Sequence, residues 1–288
     1  MAEGPGRLRS GGPSATAMGV AIRRAAHQLF DDPKVFDDPL ATLIIGAEAL
    51  DTLKGERKRH RHPFNLALRA HVVARSRYAE DRLQAAYARG VRQYLVLGAG
   101  LDTFGWRNPH ADLKVFEVDH PSTQAWKRAC LAAMGAEAPA NLVLAPVDFA
   151  SKTVAEELGA AGFDHASPAF VSWLGVSMYL TEEAAMRTLA DMAQLPNASE
   201  MVFDFGVSPA ALSPLARLAQ QALAARVAAA GEPFLSAFDP KALPARLRAL
   251  GFSDGEVVSP DVLNARYFDG RTDGLRLAGA SRIARAAV

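Results

Sequence analysis

Three carboxylates stand at the ends of apolar runs in the middle of this sequence. The run QYLVL, residues 93–97, ends in Gly98-Ala99-Gly100, with Asp102 and Thr103 just beyond. LKVFEVD ends in Asp119, and NLVLAPVD ends in Asp148, which Phe149 follows. Paired glycines after an apolar run let something approach the backbone closely. A carboxylate such as Asp119 can accept two hydrogen bonds from a ribose diol. Asp148, with the N–H of Phe149, could read the exocyclic amine and a ring nitrogen of adenine. Each acid taken alone could equally be a helix cap or a solvated loop residue. Three of them after three successive runs point to an adenosine-containing ligand.

Two such ligands compete. A dinucleotide fingerprint places a third glycine at position 103, where this chain has Thr103. The loop also carries Asp102, which would repel a pyrophosphate and favour the ammonium or sulfonium of S-adenosylmethionine. A nicotinamide-dependent oxidoreductase is therefore the weaker reading. A cofactor-binding protein without catalysis is the non-enzyme alternative.

The elements that must position these groups follow from periodicity. Five short apolar runs alternate with helical stretches such as STQAWKRACLAAMG and TEEAAMRTLADM. Strand–helix alternation predicts an α/β fold with a doubly wound, mostly parallel sheet. In such a sheet ligands bind beyond the carboxyl ends of the strands. Residues 1–14 are rich in Gly and Pro and are predicted to be a disordered tail. Residues 15–288 are predicted to form one domain. Within it, 15–89 form a helical cap and a long helix closed by Gly90, and 90–208 the cofactor-binding core. Residues 209–240 form substrate-cover helices, and 241–288 the C-terminal part of the sheet. The last segment, RLAGASRIARAA, reads as an edge strand.

Bulk properties exclude several classes. Thirty-two basic and 31 acidic residues give a net charge of +1, so no global field favours nucleic acid. The single cysteine, Cys130, rules out an intrachain disulfide and a multi-cysteine zinc site. No metal site is expected. No stretch has the apolar length of a membrane span or of a signal-peptide core. A cytoplasmic protein, with no membrane partner, is the expectation. The run KGERKRHRH, residues 54–62, is the one strong charge cluster, read either as a solvated loop or as a basic lid over the cleft.

The motifs GAGLDTFGWR, FEVDHP, VDF and FVSWLGVSMYLTEEA resemble the leucine carboxyl methyltransferase family, closest to its bacterial branch of S-adenosylmethionine-dependent O-methyltransferases. SATAMGVAIRRAAHQLF, FDDPLA, GEPF and LNARYFDGRTDGLRL match that branch too. The resemblance runs from about Ser14 to the end. It implies a class I methyltransferase (Rossmann-like) fold with an N-terminal helical cap, and S-adenosyl-L-methionine as cofactor. It implies that Gly98, Ala99 and Gly100 pass under the methionine part, with Asp102 close by. Asp119 would hold the ribose, with His120 flanking it, and Asp148 and Phe149 the adenine. Arg75 matches the family's arginine for the cofactor carboxylate, with Arg77 as its neighbour. The acceptor would be a small molecule methylated on a carboxylate or hydroxyl. Met178, Tyr179 and Tyr267 are candidates to line its site, with Phe234 and Phe238. Family members often carry a glutamate in the fourth strand, where this chain has Leu174. No general base is assigned among the seven histidines.

Overall fold

The computed structural model describes residues 14–133, 135–147, 154–229, 231–279 and 281–288. Asp148 and Phe149 lie outside the described residues. Five helices come first: Ala15–Phe30 (α1), Ala41–Ile44 (α2), Ala47–Gly55 (α3), Arg57–His60 (α4) and Pro63–Ala88 (α5). Alternation then begins with Gln93–Leu97 (β1), Phe104–Arg107 (α6), Lys114–Asp119 (β2), Pro121–Ala133 (α7), Leu142–Pro146 (β3) and Val154–Ala160 (α8). Ala169–Trp173 (β4), Glu182–Met192 (α9), Glu200–Gly206 (β5) and Pro214–Ala229 (α10) follow. Leu243–Leu250 (α11), Asp254–Val258 (β6), Pro260–Tyr267 (α12) and Ser281–Ala287 (β7) complete the chain.

The seven strands form one sheet in the order β3-β2-β1-β4-β5-β7-β6. β1 to β5 are parallel, and β7 runs antiparallel to both of its neighbours. Both faces are covered, as a parallel sheet requires. Leu95 and Leu97 of β1 enter one core with residues of α8, α9 and α11. Tyr94 and Val96 enter the other, with α5 and α12. This period-two split explains why all five residues of β1 are buried.

Local signals set the element ends. Ser14 and Thr181 accept hydrogen bonds from the first turns of α1 and α9. Gly251 takes the left-handed conformation that stops α11.

Two expectations are corrected. The last segment is not the edge strand: β7 lies between β5 and β6, and β6 is the edge. Ile283, Ala284 and Ala286 are fully buried on the two faces. Arg285 carries its charge to the rim and reaches Asp254 at 2.9 Å. The basic run is not a loop either. Arg57–His60 is a helical turn leading into α5, and Arg59 is paired with Glu56 at 2.8 Å. Among the described residues, no helix is long and apolar enough to cross a membrane.

Candidate functional site

The strand order reverses between β1 and β4, which places a topological switch point there. The residues just past these strands line up. Leu97 pairs with Val118, Val96 with Ser172, and Trp173 with Phe203. Continuing each register brings Asp119, Gly98, Leu174 and Asp204 into one row across β2, β1, β4 and β5. The predicted glycine turn and the predicted Asp119 are thus neighbours. Asp204, within β5, is a site residue that the sequence reading missed.

Asp119 fastens the glycine turn. Its carboxylate accepts the N–H of Gly100 and the N–H of His120, each at 2.6 Å. The Thr123 hydroxyl also bears on it, and a carboxylate with about four lone-pair sites keeps some capacity beyond these donors. Burial pushes this carboxyl above its ordinary value, and the two backbone N–H groups oppose that rise. His120 turns its Nδ1 to Ser122 at 2.7 Å. Gly98 has φ +66°, and a Cβ there would collide with Val176 Cγ2. Ala99 is buried. The start of α1 lies over Gly100, where an added Cβ would sit 3.3 Å from that of Ala17.

The cap locks this turn through buried charge. Arg24 of α1 reaches Asp38 at 2.8 Å, the Leu101 carbonyl at 3.0 Å and Thr103 Oγ1 at 3.2 Å. The Thr103 hydroxyl donates to Asp38 at 2.8 Å and accepts from Arg107 at 3.1 Å. Thr103 is therefore the hub of a cap-to-turn network, which explains a hydroxyl where a dinucleotide site has glycine. Asp102 accepts the N–H of Phe104 at 2.7 Å and lies 3.4 Å from Arg24. Burial would raise the Asp102 carboxyl, but Arg24, Lys127 and Arg107 outweigh it and hold it below its usual range. Its negative charge is shared with these cations rather than left free for a ligand, as the sequence had suggested. Below the turn, Glu117 pairs with Lys127, and burial pushes that carboxyl up to about 7.

Arg75 projects from α5 to the other end of the row. Its Nη1 donates to Asp204 Oδ2 at 2.6 Å, which also faces His71 Nε2 at 3.0 Å. Asp204 Oδ1 accepts the N–H of Gly175 at 2.5 Å. Gly175 has φ +76°, and a Cβ there would lie 2.7 Å from Arg75 Nη2. The guanidinium thus lies flat on the β4 turn, with one edge on Asp204. Replacing Gly175 with alanine is expected to cost about 1–3 kcal/mol of stability through backbone strain and displacement of Arg75. Gly90→Ala is the control, because it shares a positive φ but has open space around it. Equal urea midpoints for the two variants would remove the Arg75 contact as a cause.

Met178 and Tyr179 follow in a short helical turn after β4. Met178 is buried and its carbonyl accepts the N–H of Leu235 at 2.7 Å. The Tyr179 ring packs against Phe234, with centroids 5.4 Å apart. Burial holds the Tyr179 phenol above its usual range, so it is a donor at neutral pH. Glu232, in the same GEPF loop as Phe234, accepts the N–H of Thr16 in α1 at 3.1 Å. That loop therefore ties the cap to Tyr179.

Three other predicted residues lie apart. The Tyr267 hydroxyl donates to Asp81 at 2.7 Å. Asp81 is six residues beyond Arg75 on α5, about 9 Å further along the helix and towards the start of β1. Tyr267 belongs to the α5–α12 contact and does not face the row. Phe238 is core, edge-on to Phe205 at 6.0 Å. Arg77 is exposed and paired with Asp81 at 2.7 Å. His27 is structural: its Nε2 accepts the N–H of Val35 and its Nδ1 meets Asp31. Leu174 packs with the α5-side core, so the carboxylate of this part of the row comes from β5. Among the described residues, no acidic, histidine and cysteine cluster could hold a metal ion.

Comparison with known proteins bears on what this site is. The family model described as leucine carboxyl methyltransferase matches residues 17–193. A Bacillus subtilis (strain 168) protein named "Putative S-adenosyl-L-methionine-dependent methyltransferase YktD" is 31% identical over 93% of this chain and 95% of its own. A relative of the same description from Parafrankia sp. (strain EAN1pec) is 34% identical over 65% of this chain and 60% of its own. Among solved structures, a "putative methyltransferase" from Thermobifida fusca YX superposes with a TM-score of 0.58 at 19% identity, covering 97% and 96% of the two chains. A DUF574 family protein from Streptomyces avermitilis MA-4680 gives 0.53 at 17%, covering 85% and 94%. The structural likenesses are of fold, and that fold is the class I methyltransferase α/β architecture. With the family model spanning the cap, the glycine turn and β4, and a relative aligned along nearly the whole chain, this protein belongs to the leucine carboxyl methyltransferase family.

Proposed function

We propose that this S-adenosylmethionine-dependent methyltransferase transfers its methyl group to an oxygen of a small molecule, a carboxylate or a hydroxyl. The observation that carries the reading is the row Asp119–Gly98–Leu174–Asp204 at the switch point, with Arg75 laid on Gly175 at one end. Asp119 keeps acceptor capacity beyond its donors in the turn, which suits ribose hydroxyls. Arg75 has one edge on Asp204 and its remaining N–H groups for a carboxylate, the geometry of a guanidinium fork. Between these ends the turn presents backbone without side chains at Gly98 and Gly100. Asp148 and Phe149 are our candidates for the adenine on the strength of the family resemblance. When bound, the cofactor supplies an electrophilic methyl group on a sulfonium.

The chain's own task is then positioning and exclusion of water. The start of α1, the GEPF loop and Tyr179 close the cleft from above. His71 is held by Asp204, and His27 is buried against Asp31. His27 has both ring nitrogens engaged and none free to take a proton from an alcohol. An acceptor that is already ionised would need no base at all.

Two measurements test the reading. Calorimetric titration should show saturable binding of S-adenosylmethionine and S-adenosylhomocysteine and none of NADPH. Binding of NADPH instead would overturn it. Methyl-labelled cofactor, incubated with a small-molecule extract, should then yield product that releases methanol in alkali, as a methyl ester does. Alkali-stable label would exclude a methyl ester as the product.

A further inference from the structure

Consecutive arginines on α1 have opposite fates. Arg24 is buried and paired with Asp38. Arg69, Arg75 and Arg107, the other well-buried arginines around the cap, also have carboxylate partners. Arg23 does not. It is half-buried, and its hydrogen bond goes to the carbonyl of Gly19 at 2.7 Å, one turn back on its own helix. The head group is thereby drawn towards the end of α1 that lies over Gly100.

Its surroundings are cationic. Arg226 of α10, Arg75 and Arg59 are close enough to repel it, and Tyr179 is close enough to bear on it. Burial first, and then these arginines, bring the guanidinium down to about 10. Glu232, the acid in the loop that covers this corner, is turned onto Thr16 instead. A desolvated charge without a counter-ion is costly, and structures relieve that cost with a partner. Among the described residues this chain supplies none.

We propose that Arg23 forms an anion subsite on the cap helix that holds a carboxylate of the methyl acceptor. A guanidinium fork matches the two oxygens of a carboxylate. The subsite is separate from Arg75, which the proposed function gives to the cofactor's own carboxylate, and the inference rests on that reading. The carboxylate need not be the atom group that is methylated: it orients the acceptor against the turn.

The test uses the full chain saturated with S-adenosylhomocysteine. The probes are straight-chain monocarboxylic acids from acetate to decanoate, benzoate and phenylacetate, each with its primary amide. Calorimetry should detect binding of one or more acids and not of the matching amides. Arg23→Gln should weaken that binding about tenfold to a hundredfold. Arg23→Lys should recover part of it, and both variants should bind S-adenosylhomocysteine as the parent does. That last control also reports that the variants are folded. No acid binding, or acid binding that Arg23→Gln leaves intact, would overturn the subsite. Equal loss of S-adenosylhomocysteine affinity in Arg23→Gln would assign Arg23 to the cofactor and overturn it too. Failure of the parent protein to bind S-adenosylhomocysteine would instead remove the cofactor reading beneath it.

Discussion

Replacing Asp204 with alanine is expected to lower the unfolding free energy by about 3–5 kcal/mol, the cost of leaving a buried charge without its partner. Asp204 is fully buried and Arg75 is 6% exposed. The substitution strands Arg75, leaves His71 without its acceptor and frees the N–H of Gly175. The sign of the pH dependence follows. Burial would raise the Asp204 carboxyl, yet Arg75 and His71 outweigh it and hold it well below the usual carboxylate range. A carboxyl depressed in the folded state contributes stability that is complete above its unfolded value, near 3.9. That contribution is lost as the pH falls below this value towards the folded one. Below about pH 5 the gap between wild type and Asp204→Ala in urea denaturation should therefore narrow as the pH falls. A gap that widened below about pH 5 would falsify the assignment of Asp204 as the ionised partner. Asp204→Asn should fall between the two, because an amide oxygen can still accept from Gly175.

How much of this was legible before the structure depended on distance along the chain. The glycine turn and Asp119 were readable because each sits at the end of a local apolar run. Asp204 was not, because it lies within a strand, β5, rather than after one. The signal was present: a carboxylate in a strand buried on both faces must have a partner. Asp38 lies in FDDPLA, which stands out as a family motif. Its role as the receiver of Arg24 and Thr103 depends on residues 14 and 65 positions away, which no local pattern records. In AIRRAA, Arg23 and Arg24 are indistinguishable by type. The roughly 100° turn between successive helical residues sends one into the network and leaves the other unpaired. Sheet order was equally non-local. Position at the end of the chain does not make β7 an edge, since it inserts between β5 and β6. Tyr267 was singled out as an aromatic in a family motif, but its hydroxyl belongs to Asp81.

Asp119→Ala separates binding from folding where Asp204→Ala cannot. Asp119 is half-buried at the mouth of the turn, so its two N–H donors, from Gly100 and His120, can be taken over by water. The stability cost should be about 1–2 kcal/mol, the scale of hydrogen bonds lost to a charged acceptor without deep burial. The effect on the cofactor should be far larger. Two diol hydroxyls donating to a carboxylate are worth about 1.5–3 kcal/mol each. Their loss predicts S-adenosylhomocysteine affinity about a hundredfold to ten-thousandfold weaker. Asp119→Asn keeps one acceptor oxygen but gives up the charge, and its amide NH2 must face a donor. It should bind more tightly than the alanine variant and less tightly than wild type. Calorimetry on both variants, alongside urea midpoints, checks the order. Wild-type affinity in Asp119→Ala would place the ribose elsewhere and leave Asp119 as a clamp on the glycine turn. Loss of affinity matched by loss of folding would point to the same clamp, since the turn itself would then have failed. Only a folded protein that no longer holds the cofactor fits a carboxylate whose spare lone pairs serve the ligand.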